Sequence, residues 1–94
     1  MSAGLDGVIS LLNDIKFELE KQISTATKDN EINAGKIIEL STLMPNRLMD
    51  SGLNSETINS LSGFANRLNM DKTTIGTLKI RLQELNEILE ILNS

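Results

Sequence analysis

The strongest constraint on this chain lies at its C-terminal end, where Ile75, Leu78, Leu82, Leu85, Leu89 and Leu92 recur at alternating steps of three and four. That spacing places all six side chains on one seam of an α-helix with coiled-coil-like heptad packing, and it predicts a long helix over 72–92. A helical projection sets Ile80, Ile88 and Ile91 well off the seam, roughly on the opposite side, where a surface helix is ordinarily polar. The helix therefore reads as buried on two sides, and in a chain of 94 residues the expected second neighbour is another subunit.

The rest of the chain agrees with helices packed on helices. Aromatic residues make up 2% of the sequence, so the interior must be built from Leu, Ile, Val and Met. Six Gly and one Pro are too few to punctuate a β-sandwich or barrel of this length. Leu5, Val8, Leu12, Ile15 and Leu19, widened by Ile9 and Ile23, predict an amphipathic helix over 3–27. Lys28, Asp29 and Asn30 suggest a turn, with a second helix over 31–43 carrying Ile37, Leu40 and Met44 on one face. The same spacing also runs through Ala26, Asn30, Asn33 and Ile37, so one continuous rod is an open alternative to the preferred break.

Pro45 ends whatever precedes it and starts a short helix over 45–51, which Gly52 stops. Asn54 or Ser55 caps a helix over 55–68 with Ile58, Leu61, Ala65 and Leu68 inward and Phe64 beside them. Asn69 and Met70 then make a turn, Asp71 serves as the next N-cap, and Met70 is expected to staple onto Ile75. The expected fold is all-α: a small bundle of three to five helices, one domain spanning 1–94, with the long C-terminal helix as its spine. Phe17 falls off its seam and is read as packing against a neighbouring helix; Met44, Met49 and Met70 are read as core fillers.

Composition narrows the chemistry. The chain has no Cys and no His, which removes disulfides, thiolate chemistry and the usual general base. The carboxylate clusters, Glu18 with Glu20 and Glu84 with Glu87 and Glu90, read as solvated helix faces rather than as an acid–base pair or metal site. The six glycines stand singly, without a phosphate-binding loop. The expectation is a non-enzyme with no cofactor and no metal. Asp6, Asn13 and Asp14 interrupt the first apolar stretch, so neither a signal peptide nor a membrane span is expected, and the cytoplasm or a virion interior is the default location.

The net charge of −4 is unevenly spread: residues 60–82 carry Arg67, Lys72, Lys79 and Arg81 against Asp71 alone, while residues 83–94 hold only Glu84, Glu87 and Glu90. Within the basic island, the stretch from Phe64 to Leu78 resembles a helix-turn-helix of the repressor family, with Ala65 at the small crossing position and Leu68, Met70, Ile75 and Leu78 at the core positions. The resemblance covers about 15–20 residues and implies that residues 61–80 bind DNA, with Lys72, Thr73, Gly76 and Thr77 facing the major groove, Arg67, Lys79 and Arg81 meeting phosphates, and the last helix dimerising. The chain departs from that family at Asn69, where Gly is usual, and by carrying Ile80 and Glu84 where phosphate would lie.

Two functional expectations follow. The first is an oligomeric interaction protein (an adaptor, a small inhibitor or regulator, or a structural subunit) whose partner is another copy or another protein. The alternative is a helix-turn-helix regulator that binds nucleic acid.

Overall fold

The computed structural model describes residues 3–29, 32–70 and 74–93. It is all-α, with α1 at Ala3–Asp29, α2 at Gly35–Ser41, α3 at Met44–Met49, α4 at Ser55–Met70 and α5 at Ile75–Asn93. The helices form a closed ring of contacts in which α1 packs on α5, α5 on α4, α4 on both α2 and α3, and these two back on α1. The short helices α2 and α3 thus share one side of a four-sided bundle. A single apolar cluster fills it, with Phe64, Leu12, Ile15, Leu19, Ile37, Met44, Leu61, Leu68, Leu78 and Leu85 fully buried.

The spine is α1 rather than α5. Its 27 residues are about 40 Å long at the helical rise, which accounts for the 44 Å long axis of the molecule. It touches α2, α3 and α5, and it buries Leu11 and Ala26 in addition to the predicted Val8, Leu12, Ile15 and Leu19. The buried arc also takes in Glu18 and Gln22, each 7% exposed. Gln22 Nε2 donates to Glu18 Oε2 at 2.8 Å, and Gln22 Oε1 accepts from the Asn33 backbone N–H at 3.0 Å. Asn33 Oδ1 in turn accepts from the Gly35 N–H at 3.1 Å, which ties the start of α2 to α1.

The break between α1 and α2 is real, but its position differs from the sequence reading. Lys28 and Asp29 belong to α1, Asn30 lies outside the described residues, and Ile32 to Ala34 are not helical. The second helix accordingly begins at Gly35 rather than 31. The Asn33 side chain and the Gln22 anchor fix this segment ahead of the helix. Pro45 sits in the first turn of α3, where its missing N–H costs nothing, and the turn at Thr42 and Leu43 separates α3 from α2.

A glycine permits close approach at the other end of α1. A Cβ at Gly4 would lie 1.6 Å from the Asp50 carbonyl oxygen, so only glycine allows the α3–α4 connection to cross there. At Gly7 the carbonyl accepts from Arg47 Nη1 at 3.1 Å, fastening α3 to the same turn. Gly52 adopts φ +74°, a left-handed value within the connection, and Asn54 caps α4 by accepting from the Thr57 N–H at 2.8 Å.

Several expectations fail on the surface. Asn69 and Met70 extend α4 instead of forming the turn, and Met70 is 76% exposed, so it does not staple onto Ile75. Asp71, the expected cap, lies outside the described residues. The cap of α5 is Thr74, whose Oγ1 accepts from the Thr77 N–H at 3.1 Å, so the helix starts at Ile75 rather than 72. Of the three methionines read as fillers only Met44 is buried, while Met49 and Met70 are exposed. Phe17 is 67% exposed instead of packed: it lines an open cleft with Asp14, Glu18, Lys36 and Leu40 at the rim of the α1–α2 contact.

Gly4→Ala tests the close approach directly. In an open helix this change would stabilise by about 1 kcal/mol, but forcing a Cβ onto backbone is expected to destabilise by about 1–3 kcal/mol in urea unfolding. Gly76→Ala, where a Cβ meets nothing nearer than 3.9 Å, is the control and is expected to be neutral or mildly stabilising. For the buried polar anchor, Gln22→Leu should cost about 1–3 kcal/mol by stranding the Glu18 carboxylate and the Asn33 N–H.

Candidate functional site

On α5 the predicted seam divides by depth. Leu78, Leu85 and Leu89 are buried, and Ile75, Leu82 and Leu92 are partly buried at its margins. The helix meets α1 and α4 with this face. The three residues assigned to a second face separate. Ile80 and Ile91 are 55% and 70% exposed. Ile88 instead packs on the core and borders α4, because it lies roughly 80° from the middle of the seam, at the edge of the inward arc.

Ile80 and Ile91 differ by about 20° in helical projection, so they share one outward stripe, with Glu84 and Glu87 falling between them. Beside this stripe runs an open groove between α5 and α4. One part is lined by Asn59, Ser60, Arg67, Glu84, Glu87, Ile88 and Ile91 and encloses about 370 Å³. A smaller part of about 120 Å³ continues towards Glu56, Thr57 and Leu61.

Two of the four cations of the basic island, Arg67 and Arg81, are committed to intramolecular contacts. Arg81 Nη1 donates to Glu84 Oε1 at 2.7 Å, and Arg67 Nη2 donates to Glu84 Oε2, so one carboxylate holds both guanidinium groups across the α4–α5 junction. Gly63 makes room for this, since a Cβ there would lie 3.0 Å from Arg67 Nη1. The Arg81 side chain is only 12% exposed, and its Nε is buried without a partner. The Thr77 hydroxyl donates to the Thr74 carbonyl at 2.9 Å, within its own helix start. Lys79 and Gly76 are exposed, and Lys72 and Thr73 lie outside the described residues. Ala65, read as a crossing position between two helices, lines a cleft shared with Ser41, Thr42 and Pro45 on the α2–α3 side.

The carboxylates read as solvated faces behave differently from one another. Glu20, Glu87 and Glu90 are exposed, but Glu18 is buried and Glu84 is half-buried in its ion pairs. Sequence periodicity carried a signal for Glu18, which continues the spacing Leu11, Ile15, Glu18, Gln22 on a second arc of α1. For Glu84 the signal was its place within reach of Arg81 one turn back. Among the described residues no group of three or more acidic side chains is placed to hold a metal ion, and no helix is long and apolar enough to cross a membrane.

The chain matches no protein-family model, no curated protein and no solved structure.

Removing the shared carboxylate is the sharpest probe of this junction. Glu84→Ala leaves a mostly buried guanidinium without its anion and is expected to destabilise the fold by about 1–3 kcal/mol in urea unfolding, with Glu84→Gln recovering part of the loss. An unchanged midpoint in both variants would mean that the ion pairs contribute nothing measurable.

Proposed function

We propose that this chain is a non-catalytic, oligomeric interaction protein that acts by helix–helix packing through the outward stripe of α5. The role is that of an adaptor, a small inhibitor or regulator, or a structural subunit. The observation that carries this reading is the exposure of Ile80 and Ile91, 55% and 70%, on one face of a helix whose opposite face is already used in the core. Covering an isoleucine side chain fully is worth about 1.5–3 kcal/mol before the entropy of association is subtracted. Met49, Met70 and Phe17 are also exposed, but they stand on other helices.

The absence of His and Cys from the sequence argues against the common acid–base and nucleophilic chemistries. The nucleic-acid alternative loses support from the same junction that resembles a helix-turn-helix. Two of its phosphate-binding candidates, Arg67 and Arg81, already hold Glu84, and that carboxylate would face the duplex.

Light scattering on a sizing column, with and without duplex DNA at low and moderate salt, separates the readings. The expected result is a defined oligomer of the 10.3 kDa chain that ignores DNA. Ile80→Glu combined with Ile91→Glu should leave helicity by circular dichroism unchanged and remove the oligomer. A monomer in the parent protein contradicts the proposal, and a complex with DNA that dissolves as salt rises favours the alternative.

A further inference from the structure

Resting on the oligomer reading above, we infer that the occupant of the α5 stripe is a second copy of this chain, docked α5 on α5 in antiparallel fashion so that Ile80 meets the partner's Ile91. The order of charge along α5 carries the inference. Its first half bears Lys79 and Arg81, and its second half bears Glu84, Glu87 and Glu90. A helix macrodipole favours the reverse, anions towards the N-terminus and cations towards the C-terminus. No acid lies in the first turn of α5 and no base in the last, and Glu90 sits in that last turn. Arg81 and Glu84 are explained by their ion pair within the monomer, but the macrodipole does not account for the placing of Lys79, Glu87 and Glu90.

An antiparallel partner accounts for the opposite charges of Lys79 and Glu90. Setting Ile80 beside the partner's Ile91 places both ends of the stripe in apolar contact at once, because the two-fold operation repeats the pair. Lys79 and Glu90 are both exposed and lie on the same flank of the stripe, about 20° apart in projection. In the antiparallel pair like flanks meet, and Lys79 comes within about 3 Å of axial level with the partner's Glu90, twice per dimer. Towards the centre, Glu87 approaches the partner's Glu84, whose charge is already outweighed by Arg67 and Arg81. Of these two, Arg67 is 46% exposed and open to a further anion.

A parallel pair would instead stack Glu84, Glu87 and Glu90 on their own copies, the arrangement that like charges penalise. The antiparallel pair also opposes the two macrodipoles. The basic island, half of which is used inside the monomer by Glu84, thus finds its remaining described charge, Lys79, matched at the interface.

Because the natural chain contains no Cys, disulfide trapping reads the register without background. Ile80→Cys and Ile91→Cys chains, mixed under mild oxidation, should yield a cross-linked heterodimer in clear excess over either homodimer. Independently, Lys79→Glu and Glu90→Lys should each raise the dimer dissociation constant about three- to tenfold at low salt, and the double variant should return it to within about twofold of the parent. An oligomer in which 80–80 or 91–91 cross-links dominate, or in which the double variant fails to recover, overturns the antiparallel register and leaves the proposed function standing. A parent protein that stays monomeric throughout a concentration series overturns both.

Discussion

Burial of a broad arc of α1 is the interaction on which the other helices depend. With seven and six residues, α2 and α3 are too short to persist alone, since isolated helices below about 12–15 residues are marginal in water. They pack on α1 around the shared core cluster and are fastened by the Gln22 link to Asn33, by the Arg47 bond to the Gly7 carbonyl and by the close approach of the α3–α4 connection to Gly4. The same helix supplies the surface on which α5 lies. Phe64 and Leu68 of α4 close the ring from the far side, so the core is a single aliphatic cluster with one aromatic ring buried in it.

With α1 as spine, α5 is left at a corner of the bundle with an inner and an outer face. Leu78, Leu85 and Leu89 meet the core, while Ile80 and Ile91 look outward. Between the two faces, Glu84 binds Arg67 and Arg81 and fixes the distance between α4 and α5. This arrangement explains why a basic segment and an apolar stripe coexist on one helix. Part of the positive charge, Arg67 and Arg81, is structural, while Lys79 stands exposed on the flank of the proposed surface.

The periodic features were the legible ones. Three-four spacing located α1, α4 and α5, and Pro45 and Gly52 marked the place of α3, which begins one residue before the proline and ends at Met49. The connections were harder to read because side-chain bonds decide them: Asn33 and Gln22 delay α2 to Gly35, and Thr74 caps α5. Tertiary neighbours set the burial of Phe17, Met49, Met70 and Glu18, and no local pattern names those neighbours. Of the proposed surface, Ile80 and Ile91 were visible from projection alone. Ile88 was not, because a residue 80° off the seam is outward or inward according to whether α4 lies beside it. The bonding of Arg67 and Arg81 to one carboxylate required the fold, since Arg67 and Glu84 are 17 residues apart.

The most direct test of the α5 surface is methyl NMR of isoleucine-labelled protein followed on dilution. The account predicts that the Ile80 and Ile91 methyl signals move with concentration, while those of Ile15 and Ile37, fully buried within each copy, stay fixed. Isoleucine signals that do not change at all, in a protein whose mass is that of one chain, would contradict it.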